Sequence, residues 1–213
     1  MTERPIPFSA EMVRAILDGR KTMTRRVIVP QPDGITQGTP WVYKDVEIST
    51  RDFRKEVIKN TYVRKLKCKY GVPGDLLWVR EKIIRRKSDP IDVCIYAADM
   101  TPVLGGPIAY CNRSVWQWDN INTLVRSPRW ASRILLEITA VRAERLQDIT
   151  EGDAQKEGWF FQGHDLLQSY DPVTMDSARK WFADLWDTLN AKRGHPWSAN
   201  DWVFPIEFKR VSQ

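Results

Sequence analysis

Apolar residues recur along this chain in two rhythms, and the switches between them mark out the elements. Met12, Val13, Ile16 and Leu17 fall at helical spacing between Ser9, a side chain able to cap, and Gly19, which suits a left-handed stop, so a short helix is predicted over 9–19. The basic turn 20–26 leads into the β-prone run Val27-Ile28-Val29, closed by Pro30. The unbroken apolar run 76–79 after Pro73-Gly74-Asp75 predicts a buried strand, and 93–97 a second. Ile134, Leu136, Ile138 and Ala140 then alternate with Leu135, Glu137, Thr139 and Val141, the pattern of a long strand able to bend. A short helix is predicted over 150–158, with Thr150 and Asp153 at capping-box spacing and Gly158 at its end. A longer one is predicted over 176–191, with Asp176 as cap and Ala178, Trp181, Phe182, Leu185 and Leu189 on one face. Trp202, Phe204, Ile206 and Phe208 close the chain as a half-buried strand, in which Pro205 implies an edge position or a bulge.

No internal repeat and no βαβ rhythm appears, which excludes a doubly wound parallel sheet and favours an α+β fold: a small mixed barrel or curled antiparallel sheet carrying helices. A length of 213 residues and 42% apolar content suit a single domain over 1–213. Two stretches break the pattern. In the first, the run from Arg51 to Lys69 carries eight Lys and Arg against Asp52 and Glu56; it reads either as a solvated hairpin or as a phosphate-contacting arm with Tyr62 and Tyr70 interleaved. In the second, residues 99–130 show no sustained period and read as a long loop.

Charge and composition narrow the chemistry. With 33 Lys and Arg against 27 Asp and Glu, the net charge of +6 favours an anionic partner, most simply nucleic acid. Cys68, Cys94 and Cys111 have no CxxC spacing, and His164 and His195 lie apart, so neither a disulfide framework nor a metal site is read; no metal and no cofactor is expected. No leader-like or membrane-spanning apolar run occurs, and a cytoplasmic protein without a membrane partner is expected. Ten tryptophans are many for this length. Trp78, Trp181 and Trp186 fall in periodic stretches and are assigned to the core, whereas Trp116, Trp118 and Trp130 lie in aperiodic sequence near Arg129 and Arg133, the mixture a base-stacking surface needs. Asp75 is read as a turn residue, and Ser132 lacks the Gly-x-Ser-x-Gly context of a hydrolase nucleophile.

Gly19-Arg20-Lys21-Thr22-Met23-Thr24-Arg25-Arg26, directly after a short amphipathic helix, resembles the Gly-x-Lys-x-x-Glu/Thr-x-Arg signature of the ASCH domains. Three further segments fall in that family's order: Gly74-Asp75-Leu76-Leu77 and its strand, the 150–158 helix, and the closing strand 202–208. The resemblance covers about 1–30, 70–82 and 128–211. It extends to the larger ASCH proteins of bacteriophages and prophages, and implies a PUA-like mixed β-barrel with flanking helices, a positively charged cleft, and insertions at about 31–69 and 83–127. A small bacterial ASCH enzyme that deacetylates N4-acetylcytidine uses a Lys base, a Thr nucleophile three residues later and a Glu from the short helix; by motif position these are Lys21, Thr24 and Glu157. The implied setting is the cytoplasm of a bacterial or phage-infected cell.

The same residues can be read without the family. A Thr hydroxyl attacks an amide carbonyl when a base takes its proton, and a Lys serves as that base when burial or nearby cations such as Arg20, Arg25 and Arg26 depress its pKa. A Glu can donate to the leaving amine. The expectation is an amidohydrolase acting on N4-acylated cytidine or a related modified nucleoside or nucleic acid, RNA ahead of DNA, with Arg20, Arg25, Arg26, Trp116, Trp118, Trp130 and Arg133 contacting substrate. A non-catalytic RNA-, DNA- or nucleotide-binding module and an ASCH-type ribonuclease remain as alternatives, and the oligomeric state is left open.

Overall fold

A computed structural model describes residues 1–32, 35–36, 42–51, 57–65, 67–86, 93–103, 127–159 and 178–211. The closing run of alternating aromatic and aliphatic residues organises it. Strand β11 (Trp202–Val211) sends Phe204, Ile206 and Phe208 into one core and Val203 into another. On one side it pairs antiparallel with β9 (Leu135–Val141) and, beyond a break at Arg142 and Ala143, with β10 (Glu144–Arg145); on the other it pairs with β2 (Met23–Val27). Strand β6 (Leu76–Arg80) continues the sheet from β9, and β1 (Glu3–Pro7) adds to β6 in parallel. A separate hairpin pairs β4 (Val42–Arg51) with β5 (Val57–Lys65), with β3 (Ile35–Thr36) beside β4. Strands β7 (Ile83–Arg86) and β8 (Val93–Tyr96) form a third, two-stranded sheet.

The helices lie on either side of the main sheet. Helix α1 (Ala10–Leu17) is capped by Ser9, whose Oγ accepts the Met12 N–H at 3.3 Å, and contributes Val13 and Ile16 to the core holding Ile6, Phe8, Leu136 and Ile138. Helices α2 (Glu151–Lys156) and α3 (Ala178–Asn190) share the opposite core, where Leu146, Ile149, Ala154, Phe182 and Trp186 are buried with Val203. The molecule is therefore a mixed α+β protein built on a largely open sheet. Among the described residues no helix is long and apolar enough to cross a membrane.

Strands β1 and β2 lie at opposite ends of this sheet, and residues 8–22, with α1 among them, connect them. The sheet curls so that these two strands come near each other. One bond crosses the seam: Arg26 Nη2 on β2 donates to the Pro7 carbonyl on β1 at 2.8 Å. No ladder joins the two strands among the described residues.

Three expectations change. The strand expected over 27–29 is instead β2 at Met23–Val27, because pairing with β11 draws the basic motif itself into the sheet. Of the two places Pro205 implied, an edge or a bulge, the edge is excluded because β11 is paired on both sides, and the ladder is irregular beside it, with a register shift between Glu207 and Phe208. Pro205 lies opposite the break between β9 and β10, where Arg142 N–H donates to its carbonyl at 3.2 Å and no ladder N–H is required of it. In α3, Trp186 is buried while Leu189 is 38% exposed, so the apolar face is rotated from the expected one. Asp176 lies outside the described residues.

Candidate functional site

Directly opposed residues of an antiparallel pair share a face, so register places the motif side chains. Thr24 faces Ile206 and Arg26 faces Phe204, both on the α1 side; Arg25 faces Pro205 on the α3 side, where its guanidinium lies 5.7 Å from the Phe182 ring centroid. Lys21 precedes the strand and is fixed by its N–H, which donates to the Ala15 carbonyl at the end of α1. Across from it, α2 begins at Thr150, whose Oγ1 accepts the Asp153 N–H at 3.1 Å, and ends at Glu157. Gly158 then turns the chain with φ +108°. A Cβ there would stand 3.1 Å from Ala15 Cβ and 3.3 Å from Lys21 Cβ, so the missing side chain is what lets Glu157 reach Lys21.

Lys21 Nζ donates to Glu157 Oε2 at 2.7 Å and to the Glu157 carbonyl at 2.8 Å, and both side chains are almost wholly buried. Burial pushes the Lys21 amine below its ordinary pKa, partly opposed by the Glu157 charge. The other Glu157 oxygen, Oε1, accepts from Arg25 at 3.3 Å. Arg25 is itself pinned by Glu144 at 2.7 Å and Asp153 at 2.9 Å, and Arg142 binds Glu144, Asp153 and Glu207. The Arg25 charge is thus shared among three carboxylates.

A cavity of about 430 Å³ opens over this network along the seam between β1 and β2. Thr24, Arg25, Arg26 and Glu157 line it, and α3 closes one wall with Phe182, Leu185, Trp186 and Leu189. The Thr24 hydroxyl makes no hydrogen bond among the described residues. Lys21 sits beneath the lining with its amine engaged by Glu157. Among the described residues no cluster of His, Cys, Asp and Glu is arranged to hold a metal ion.

The structure brings Lys21, Glu157, Thr24, Arg25 and Arg26 to one place and leaves the other expected contacts elsewhere. Arg20 is turned to the Gly158 carbonyl at 3.0 Å and to Asp18 at 2.8 Å, framing the turn instead of lining the cavity. Arg133, expected to contact substrate, is held by Glu81 at 2.8 Å and Asp99 at 2.7 Å with its guanidinium 4.0 Å from the Tyr96 ring centroid, away from the cavity. Trp130 is 39% exposed in the single helical turn Arg129–Ala131, also away from it. Trp116 and Trp118 lie outside the described residues.

Several lining residues escaped the sequence reading. Trp186, read as core, and Phe182, on the expected apolar helix face, both lie in the core and also wall the cavity. Arg193 carried no signal. His195, weighed only as a metal ligand, stands in the wall with Nδ1 2.6 Å from Asp201 Oδ2. Glu144 and Arg142 had no local signature, since Glu144 and its partner Arg25 are 119 residues apart. Compared with known proteins, the chain matches no family model, no curated protein and no solved structure.

Proposed function

We propose that the protein is an ASCH-type amidohydrolase of N4-acylated cytosine, with Thr24 as nucleophile, Lys21 as base and Glu157 as acid. The observation that carries this reading is the buried Lys21–Glu157 pair directly under a cavity lined by Thr24. On the same reading the curled sheet, crossed at its seam by the Arg26–Pro7 bond, is a PUA-like barrel with one unladdered side. The substrate is a modified nucleoside or nucleic acid, and the setting is cytoplasmic.

The pair supplies both proton transfers. Burial lowers the pKa of the Lys21 amine, so on this reading it gives up its proton to Glu157 Oε2 across the 2.7 Å contact as the reaction begins. The amine takes the Thr24 hydroxyl proton as Oγ1 bonds to the acyl carbon. Glu157 gives its proton to cytosine N4 as the C–N bond breaks, which restores the charged pair and leaves an acyl ester on Thr24. Water then attacks the ester carbon; Thr24 regains its proton and the carboxylic acid leaves. Arg26, on the strand face shared with Thr24, is placed to stabilise the oxyanion.

Incubating the purified chain with N4-acetylcytidine and following cytidine release tests the proposal. The native chain releases cytidine, and Thr24→Val and Glu157→Gln each lower kcat by about 10²-fold or more. No turnover on the nucleoside, on acetylated RNA or on acetylated DNA overturns it. A second reading, nucleotide binding without turnover, is favoured by one observation: Lys21 Nζ points to Glu157, and no hydrogen bond joins it to Thr24. Ligand binding that is unchanged in Thr24→Val, without product, selects that reading, and cleavage of a labelled single strand selects a ribonuclease.

A further inference from the structure

Two cations around the cavity, Lys69 and Arg193, have no part in the reaction described above, and a third, Arg26, enters it only at the oxyanion. Arg26 and Lys69 lie over the same ring, 5.6 and 5.2 Å from the Tyr70 centroid. Arg193 stands near enough that its charge adds to the burial that lowers the Arg26 pKa. All three line the one cavity. Lys69 and Arg193 are exposed and form no ion pair among the described residues. Arg26 spends Nη2 on the Pro7 carbonyl, while its Nε is buried with no hydrogen-bond partner. The carboxylate in the cavity wall, Glu157, is already met by Lys21 and Arg25.

Like charges held together without a counter-ion are unfavourable, and an anion placed among them removes that cost. Two guanidinium groups and an ammonium suit the tetrahedral oxygens of a phosphate better than a single carboxylate. In the same cavity Phe182, Leu185, Trp186 and Leu189 supply apolar surface for a flat ring. The cavity therefore offers cationic groups for an anion together with apolar surface for a base.

We propose that Arg26, Lys69 and Arg193 form a phosphate subsite, so that a phosphorylated cytosine nucleotide, free or at the end of a strand, is bound in preference to the bare nucleoside. This rests on the cytosine reading of the same cavity and adds to it the anionic half of the ligand.

Calorimetric titration of the full chain with cytidine, with cytidine monophosphates bearing the phosphate at the 5′ or 3′ position, and with a short single strand ending in cytidine tests it. At least one monophosphate binds about tenfold or more tightly than cytidine, as one charge-assisted contact provides. The Lys69→Gln/Arg193→Gln chain, altered at two exposed sites, loses that ratio, and raising salt shrinks it. Equal affinity for cytidine and both monophosphates overturns the subsite, as does a ratio unchanged in the double variant. A strand that binds as well as the monophosphate assigns the phosphate to nucleic acid; a strand that binds no better than cytidine assigns it to the mononucleotide. Adenosine monophosphate matching cytidine monophosphate, with the phosphate ratio intact, leaves the subsite standing and overturns only the cytosine reading.

Discussion

Lys21 and Glu157 are ionisable groups removed from water together, and each makes the other's burial tolerable. Removing one partner of a buried pair costs up to about 3–5 kcal/mol, less where a second partner remains, as Arg25 does for Glu157, and replacing both with apolar groups costs less still. Lys21→Met is therefore expected to lower the unfolding free energy in urea by up to about 3–5 kcal/mol, and Lys21→Met/Glu157→Leu to recover part of the loss. Carboxylates elsewhere set the response to acid. Hydrogen bonds from the Arg4 side chain and the Thr2 N–H hold the Asp75 carboxyl well below the usual carboxylate range, and the Arg133 guanidinium holds Asp99 at about 2. A depressed carboxyl stabilises the fold fully above its unfolded value of about 3.9 and loses that contribution as pH falls through the folded one. Urea midpoints should fall on acidification from about pH 4 towards pH 2, with a shallower slope in Asp75→Asn and Asp99→Asn. Much of the site was legible at this scale because Lys21 and Thr24 fall three residues apart in a recognisable motif. The Arg142–Glu144–Asp153 network was not, because ion pairs between distant segments leave no periodicity behind.

At the scale of elements, the ends of helices are what aim the site. Thr150 starts α2 and Gly158 stops it, and both were visible in the sequence because capping chemistry is local. Thr150→Ala should cost about 1 kcal/mol of stability by loss of its cap. Gly158→Ala should cost about 1–3 kcal/mol, since a side chain at φ +108° is strained and its Cβ presses on Lys21. Thermal melts of the two variants check both, with the larger shift expected for Gly158→Ala. Strands were less legible than helices. Strand β1 carries two prolines in five residues and forms only because β6 offers it a parallel partner, and β2 is placed by β11 two to four residues before its own β-branched run. Pro205 implied an edge or a bulge because a proline inside a strand is tolerated only where no N–H is needed; the gap between β9 and β10 supplies that place within the sheet.

For the molecule as a whole, two cores back to back on β11 tie α1 and α3 into one sheet. Leu146, fully buried on the α3 side, contributes far more to that union than Leu189, which borders the cavity at the surface. Leu146→Ala should cost about 2–5 kcal/mol in a single cooperative transition, and Leu189→Ala within about 0.5 kcal/mol, as urea titrations would show. The α+β class followed from the order of helical and alternating segments, but the curl that opens a cavity at the seam depends on the parallel placement of β1 and could not be read from any one segment. The long separation of Lys21 from Glu157 sets a timetable as well. They are 136 residues apart, so at about 5–20 residues per second the ribosome delivers the carboxylate roughly 7–27 s after the amine. During synthesis, then, Lys21 is made well before its carboxylate partner, and the buried pair forms only after Glu157 has followed it.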